Sequence, residues 1–176
     1  RQRQMCIRDR DIVGLLGLRN PAVTVTGFDR PNLYFDVVKL ETKYKAAWVA
    51  RYVADHPDES GIVYCATRKT TEALTDTLNQ MGHPAVAYHG GMSPDAREAA
   101  QRDFITDKVP VVVATNAFGM GIDKSNVRYV IHHNLPESIE AYYQEAGRAG
   151  RDGEPSRCTL LWNESDIVTR RRLLDN

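Results

Sequence analysis

Short apolar runs alternate with longer amphipathic stretches along most of the chain. The runs rich in β-branched and aromatic residues predict strands at 61–66, 85–89, 111–115, 128–133 and 158–162. The stretches between them predict helices at about 42–55, 68–81, 93–106 and 138–148, with a final helix near 164–174. Apolar strands separated by helices are typical of a parallel sheet covered on both faces. We therefore predict a three-layer α/β fold.

The amino-terminal part of the chain does not follow this alternation. Residues 1–10, "RQRQMCIRDR", carry four arginines and no apolar period. We expect them to lie outside the fold, as translated sequencing-adapter sequence joined to a reading frame or as a disordered basic arm. From Asp11, "DIVGLLGL" predicts the end of a short helix, and the segment that follows predicts extended chain broken by Pro21 and Pro31.

Length and charge narrow the class of protein. A chain of 176 residues suits one domain, and 23 basic residues balance 23 acidic ones, so any anion site must be local. The three cysteines are far apart and form no C-x-x-C pair, which argues against a disulfide framework and a zinc ribbon. No run approaches the ~18 apolar residues of a membrane span. We expect an intracellular protein in a reducing compartment.

The residues that follow the first two core strands suggest anion binding. Thr67 and Arg68 lead into a helix whose amide groups favour a phosphate. The alternative is that Thr67 is only a helix cap and that Arg68 and Lys69 lie in solvent. His89 and Gly90 begin "HGGMS", in which two glycines allow the backbone to approach a nucleic-acid phosphate. A plain tight turn explains the second motif equally well.

The histidines of the chain do not suggest a metal site. His89 has no partner at the spacing of metal ligands. His132 and His133 are adjacent on a predicted strand, so their side chains point to opposite faces. We predict no metal ligand among them.

The third core strand ends in "ATNAFGMGIDK". Thr115 offers a hydroxyl at the edge of the sheet, Gly119 and Gly121 allow the loop to bend around a ligand, and Asp123 is a candidate acceptor for a ribose hydroxyl. A G-x-G without a third glycine is a weak dinucleotide signal, and Met120 between the glycines favours packing. We therefore reject a Rossmann fold.

The segment "YYQEAGRAGRDG" is a candidate phosphate-binding element. Gln144 and Arg148 are four residues apart on a helix that Ser138 can cap, and Arg151 joins the same side if the helix continues. Arginine suits a phosphate that gains charge in a transition state, because its fork donates two hydrogen bonds and stays protonated. A solvated polar helix face that ends at a glycine is the alternative.

One absence in the sequence changes the interpretation of these arginines. No G-x-x-x-x-G-K-[ST] motif occurs, so the chain has no phosphate loop of its own. A domain with arginines for a terminal phosphate and no such loop is expected to complete a site on another domain.

Several motifs together resemble the second RecA-like motor lobe of RecQ-family DNA helicases of superfamily 2. These motifs are "GFDRPNLYF", "GIVYCATRK", "AYHGGMS", "VVVATNAFGMGIDKSNVRYVIHHNLP" and "YYQEAGRAGRDGEPSRC". The resemblance runs from Asp11 to about Asn176, and the motifs occur in the order typical of the family. It implies a P-loop NTPase type of lobe that lacks the P-loop.

The resemblance implies roles for the candidate residues. Arg151 corresponds to the arginine finger that reaches the γ-phosphate of ATP on the first lobe, and Arg148 and Gln144 correspond to the residues that sense the nucleotide. Asp123, with Gly121 in the same loop, corresponds to the nucleotide-contacting fifth motif. The residues that correspond to single-stranded DNA contacts are Thr67, Arg68, His89, Gly90 and Thr115.

The resemblance also implies a mechanism and a domain plan. ATP with Mg²⁺ closes the two lobes on the strand and hydrolysis reopens them, so that the motor moves 3′ to 5′. We expect an inter-lobe connection to end in 11–30, the lobe in 31–163, and a helix in 164–176 that leads to a further domain, where Zn²⁺ would be bound. The expected location is the cytoplasm of a bacterium or the nucleus of a eukaryote.

The sequence leaves two other functions open. One is an ATP-independent module that binds single strands through Thr67, His89 and Thr115. The other is the corresponding lobe of an RNA helicase, which the same two-lobed motor can serve. For the helicase interpretation, we expect the chain alone to be inactive.

Overall fold

A parallel sheet forms the centre of the structure, a computed structural model that describes residues 30–119 and 122–166. Within these residues the strands follow the order β1-β6-β5-β2-β4-β3, and every adjacent pair is parallel. The strands are β1 (Leu33–Lys39), β2 (Ser60–Tyr64), β3 (Ala85–Tyr88), β4 (Val111–Ala114), β5 (Val127–His132) and β6 (Ser156–Trp162). The central position of β2 places the ends of β4 and β5 on either side of it.

Two helices cover each face of this sheet. They are α1 (Thr42–Asp55), α2 (Arg68–Gln80), α3 (Pro94–Ile105) and α4 (Ile139–Ala146). One apolar cluster joins Val49 of α1 and Leu74 of α2 to Val63 of β2. The other cluster joins Phe104 of α3 and Tyr142 of α4 to Ile62 of β2, on the opposite face of the sheet. The predicted three-layer α/β fold is confirmed.

Three helices begin with a hydroxyl cap directly after a strand or its loop. The side chain of Thr67 accepts a hydrogen bond from the amide of Thr70, at 3.1 Å. Ser93 caps α3 in the same way, with Pro94 at the first helical position, and Ser138 caps α4. Each cap satisfies one of the free amide groups of a helix start, a contribution of about 1 kcal/mol.

The predicted helix bounds agree with the structure except at the end of α4. The prediction extended that helix to 148, whereas it ends at Ala146 and Gly147 is its C-cap residue. The final predicted helix starts in 164–166, and its remainder lies outside the described residues. The predictions for residues 1–10 and for the helix after Asp11 also lie outside them.

A buried lysine ties the carboxyl end of β5 to α1. The side chain of Lys45 is fully buried, and its Nζ donates to the carbonyl of His133 and to Asp166 Oδ2, each at 2.7 Å. Burial and the nearby ammonium group lower the pKa of His133 below its ordinary value of 6.5. The charge of Lys45 is thus compensated, because an unpaired buried charge is strongly destabilising.

Gly61 in β2 provides a test of the packing between strands. The ring of Tyr129, its neighbour on β5, occupies the place where a Cβ at Gly61 would lie. We expect Gly61→Ala to lower the free energy of unfolding by about 1–3 kcal/mol, measured by urea denaturation, because the ring must move. Combining it with Tyr129→Leu should cost less than the sum of the two single changes. Additive costs would contradict the steric explanation.

Candidate nucleotide and nucleic-acid site

The candidate residues lie around the carboxyl ends of β2, β3 and β4. Because these strands are parallel and adjacent, the loops that follow them meet at one edge of the sheet. We call the set Thr67, Arg68, His89, Gly90, Gly91 and Thr115 the strand-end surface. The loop at 115–126, between β4 and β5, starts there and leads past β2 to the strand on its other side.

Arg68 brings the first two motifs together. Its exposed side chain lies over the glycine pair, so that a Cβ at Gly91 would be 3.1 Å from Arg68 Nη1 and one at Gly90 would be 3.3 Å from Nη2. Both distances are tight for a Cβ. The two glycines therefore make room for a guanidinium group of the same chain, and the turn and the helix start form one surface.

His89 holds this turn from below. Its side chain is buried, its Nδ1 accepts a hydrogen bond from the amide of Gly91 at 3.0 Å, and its Nε2 donates to Glu72 Oε1 at 2.8 Å. Both ring nitrogens are thus used within the protein. The exposed part of this turn is the backbone at Gly90 and Gly91.

Two hydroxyls of the strand-end surface already have local partners. Thr67 caps α2 and also donates to Thr70 Oγ1, at 2.9 Å, as its alternative interpretation predicted. The hydroxyl of Thr115 accepts a hydrogen bond from the amide of Ala117, at 3.4 Å, and the residue is buried. Thr67 remains exposed, and both residues retain acceptor capacity.

A turn that follows α4 carries the two candidate arginines. We call residues 147–152 the arginine turn. Arg30 donates from Nη1 to the carbonyl of Gly147 at 3.0 Å and from Nη2 to the carbonyl of Ala149 at 2.7 Å. Asn32 donates to the carbonyl of Gly150 at 2.7 Å. The two residues from the start of the described chain thereby hold three successive parts of the turn.

Gly150 shows why this turn needs glycine. Its φ angle is +57°, and a Cβ there would come within 2.5 Å of Asn32 Nδ2 and 2.7 Å of Ser156 Oγ. Glycine at position 150 therefore allows the backbone to approach Asn32 closely. The sequence assigned no role to Arg30 or Asn32, because no local spacing links residues 117 to 119 positions apart.

Both candidate arginines contact the β4–β5 loop. Arg148 donates from Nε to the Tyr64 hydroxyl at 3.0 Å, and its guanidinium group occupies the place of a Cβ at Gly119, whose φ angle is +138°. Arg151 is exposed and donates from Nη1 to the carbonyl of Ile122 at 3.0 Å. The two contacts lie on either side of positions 120 and 121 of the loop. Both positions are outside the described residues, and the predicted site residue Gly121 is one of them.

The expected single helix face does not form. Gln144 is exposed on α4, but the helix ends two residues later, and Arg148 and Arg151 project from the turn instead. Arg148 and Arg151 come together because both contact the β4–β5 loop, and not because they share a helix face. Asp123, beside the Arg151 contact, is exposed.

An ion pair fastens the far end of the arginine turn. Arg128 Nη2 lies 2.5 Å from Asp152 Oδ1, which also accepts a hydrogen bond from the amide of Glu154. The Arg128 guanidinium group lowers the pKa of Asp152 below its ordinary value of 3.8. The turn is therefore held from the amino-terminal segment and from β5.

Within 30–119 and 122–166, no group of three or more His, Cys, Asp or Glu side chains could hold a metal ion. The cysteines of this part, Cys65 and Cys158, are unpaired and buried, and burial raises the pKa of each thiol to about 12. Among the same residues, no helix has the length and apolar character required to cross a membrane.

The class of protein follows from a match to a known family. A family model described as "Helicase conserved C-terminal domain" matches residues 44–153. The chain belongs to this family.

Several curated relatives carry RecQ names, which agrees with the RecQ-type lobe expected from the motifs, and another is named "Putative ATP-dependent RNA helicase R290", of Acanthamoeba polyphaga mimivirus, at 41% identity over 94% of this chain and 30% of that relative. The chain is 46% identical over 165 residues to "ATP-dependent DNA helicase RecQ" of Bacillus subtilis (strain 168), a match that covers 94% of this chain and 28% of the relative. It is 43% identical over 170 residues to "RecQ-like DNA helicase BLM" of Xenopus laevis, with 94% and 12% covered. The chain thus spans less than a third of the length of these relatives.

A solved structure supports the fold. The crystal structure of a DEAD box protein from the hyperthermophile Methanococcus jannaschii aligns with a TM-score of 0.71 and 27% identity. The alignment covers 83% of this chain and 40% of that one. The sheet and its helices are therefore shared with part of that DEAD box protein.

Substitution of Arg30 tests whether its fork holds the arginine turn. Lysine has no planar fork and cannot reproduce the two-carbonyl geometry, so we expect Arg30→Lys to lower the free energy of unfolding by about 1–3 kcal/mol in urea denaturation. Arg51→Lys, on the exposed side of α1, is the matched control and should be neutral. Equal stability of the two variants would show that the carbonyl contacts contribute nothing.

Proposed function

We propose that this chain is the C-terminal motor lobe of an ATP-dependent 3′–5′ DNA helicase of RecQ type. The observation that carries the proposal is the arginine turn, which holds Arg148 and Arg151 against the loop that leads from Thr115. The chain contains no phosphate loop, so these arginines act on a nucleotide that the first lobe of the same protein binds. Alone, the chain does not hydrolyse ATP.

Arg151 has the properties of an arginine finger. It is exposed, and its Nη1 is anchored on the carbonyl of Ile122, which restrains the side chain. A fixed guanidinium group stabilises the charge on a transferring phosphoryl group without reorganisation at the moment of reaction. Such fingers contribute about 10³- to 10⁵-fold to the rate.

ATP and Mg²⁺ are the expected cofactors of this lobe. ATP supplies the phosphoryl group whose transfer drives lobe closure and opening, and the resemblance assigns the primary binding of ATP and Mg²⁺ to the first lobe. Asp123 offers an exposed carboxylate to a ribose, and Gln144 offers an amide beside the turn. Any Zn²⁺ would belong to a domain downstream.

The strand-end surface supplies the contacts to DNA. Arg68 gives it positive charge, and the turn at Gly90 and Gly91 presents backbone to a phosphate. Contacts of this kind do not depend on base sequence and weaken with salt. The location proposed with this substrate is the bacterial cytoplasm or the eukaryotic nucleus.

A binding module without motor activity is the second candidate. The strand-end surface favours it, because Arg68, the glycine turn and the buried His89 form one unit in this chain alone. The module would bind single strands without the arginine turn. A dependence of strand binding on nucleotide would separate the motor from the module.

Arg151→Ala tests the finger. In a protein that joins this lobe to its P-loop lobe, we expect kcat for ATP to fall about 10³-fold or more while ATP affinity stays within a few-fold, because the charge to be stabilised develops only in the transition state. Arg157→Ala removes an exposed arginine near the amino end of β6 and should leave turnover unchanged. Undiminished hydrolysis by Arg151→Ala would refute the assignment.

Arg68→Ala tests the strand-end surface. We expect this chain to bind a fluorescent single-stranded oligonucleotide more weakly after the change, and the slope of log K against log salt to be less steep by about 0.7, as for one lost phosphate contact. Arg51→Ala, near the opposite edge of the sheet, is the control. An unchanged slope would show that the oligonucleotide does not bind at Arg68. Tighter binding of RNA than of DNA would favour an RNA helicase.

A further inference from the structure

A cluster of polar and aromatic groups lies beneath the arginine turn. Tyr64 and His132 are the last residues of β2 and β5 and are neighbours in register. Their rings stack with centroids 5.2 Å apart and planes inclined by 20°. His132 Nε2 is 3.0 Å from Oε1 of Glu145, on the last turn of α4. The cluster therefore joins two central strands to the helix that leads into the arginine turn.

The hydroxyl of Tyr64 is the member of this cluster that contacts a candidate arginine. It accepts the hydrogen bond from Arg148 Nε at 3.0 Å and donates to the carbonyl of Phe118 at 3.4 Å. The residue is 3% exposed, and burial raises its pKa well above the ordinary value of 10.0, so the group stays a neutral hydroxyl. A neutral hydroxyl can accept from one side and donate to the other.

These contacts form a closed network that includes both the backbone and the side chain of Arg148. Its backbone amide donates to the carbonyl of Glu145 at 3.3 Å, and its side chain returns to Tyr64, which stacks on His132. The guanidinium group also lies directly over Gly119. Rotation of the side chain would break the hydrogen bond at Nε and lift the group off the glycine.

The positions of the donors on the guanidinium group determine which of them the restraint leaves available. Arginine has five N–H donors, one on Nε and four on the terminal nitrogens. Tyr64 takes the Nε donor, which leaves the fork of terminal nitrogens as the part suited to a phosphate. Preorganised donors are effective because they do not reorient as charge develops.

We propose that Tyr64 is a positioning residue for Arg148, and that its hydroxyl holds the guanidinium group with the terminal nitrogens toward the nucleotide phosphate. The inference rests on the proposed function for its phosphate partner, whereas the hydrogen bond itself belongs to this chain alone. Tyr64 contacts no substrate in this scheme. Its effect on the reaction passes through Arg148.

The first test examines the hydrogen bond without any nucleotide. In nitrogen-15 NMR spectra of this chain, the Arg148 Nε–H resonance is assigned by its loss in Arg148→Lys. Tyr64→Phe keeps the ring and its stacking on His132, and should speed exchange of this proton with water about threefold to tenfold, the ratio expected for one net hydrogen bond. Exchange at the rate seen in the unchanged chain would overturn the proposal.

A matched control is present on the other face of the sheet. Tyr129 is 1% exposed, and its hydroxyl has no hydrogen-bond partner among the described residues. Tyr129→Phe therefore makes the same chemical change in a similarly buried place and should leave Arg148 Nε–H exchange unaltered. If both variants speed exchange equally, the effect is general loosening and the proposal is wrong.

The second test measures the consequence for the reaction. In the protein that joins this lobe to its P-loop lobe, Tyr64→Phe should lower kcat for ATP about threefold to tenfold with KM changed less than twofold, because orientation matters most when charge develops. In an Arg148→Ala background the same change should have no further effect. An equal effect in both backgrounds would contradict positioning through Arg148.

The results of these tests distinguish the positioning role of Tyr64 from the proposed function on which it rests. An unsubstituted two-lobe protein that does not hydrolyse ATP would refute the proposed function, and the role toward phosphate would fall with it. Normal hydrolysis that Tyr64→Phe leaves unchanged would refute the positioning role and leave the proposed function intact.

Discussion

The arginine turn depends on one side chain that reaches it from the start of the described chain. Arg30 donates to the carbonyls of Gly147 and Ala149 at once, and Asn32 takes the carbonyl of Gly150. These three carbonyls lie beyond the last residue of α4, where no helical hydrogen bond can satisfy them, and the donors come from a distant part of the chain. With that backbone held, Arg148 and Arg151 leave the turn in defined directions.

The sheet order turns this local support into a site. β1 pairs with β6 along its whole length, which brings Asn32 beside the turn that precedes β6. The β4–β5 loop then passes from one side of β2 to the other and offers Gly119 and Ile122 to the two arginines. Asn32, Ile122 and the arginine turn precede β1, β5 and β6, so these residues meet because the parallel strands begin at a common edge.

The fold could be predicted in detail from the sequence because its signals are local. Strands of β-branched residues, the Ser93-Pro94 start of α3 and the capping residue Ser138 each act within a few positions, and the structure agrees to within one or two residues. Two elements differ. β1 was predicted only as extended chain and is an edge strand of the sheet. α4 ends at Ala146, and the carbonyl of Gly147, its C-cap residue, accepts a hydrogen bond from Arg30.

The candidate site was less accessible to such reasoning. Spacing indicated Arg148 and Arg151 but placed them on one helix face, which the early end of α4 prevents. The supporting residues Arg30 and Tyr64 lie in two of the motifs that carry the resemblance, but no local spacing predicts what their side chains contact. Their roles arise from contacts made across 84 to 119 positions of sequence.

The pairing of β1 with β6 also sets an order of events during synthesis. Domains emerge from the ribosome amino terminus first, and non-local contacts must wait for both partners. β1 and Arg30 are made early, whereas their partners β6 and the arginine turn are made more than a hundred residues later. The edge of the sheet and the turn that carries the arginines can therefore become ordered only when nearly all of the lobe has been translated, so that a truncated chain has no assembled arginine turn.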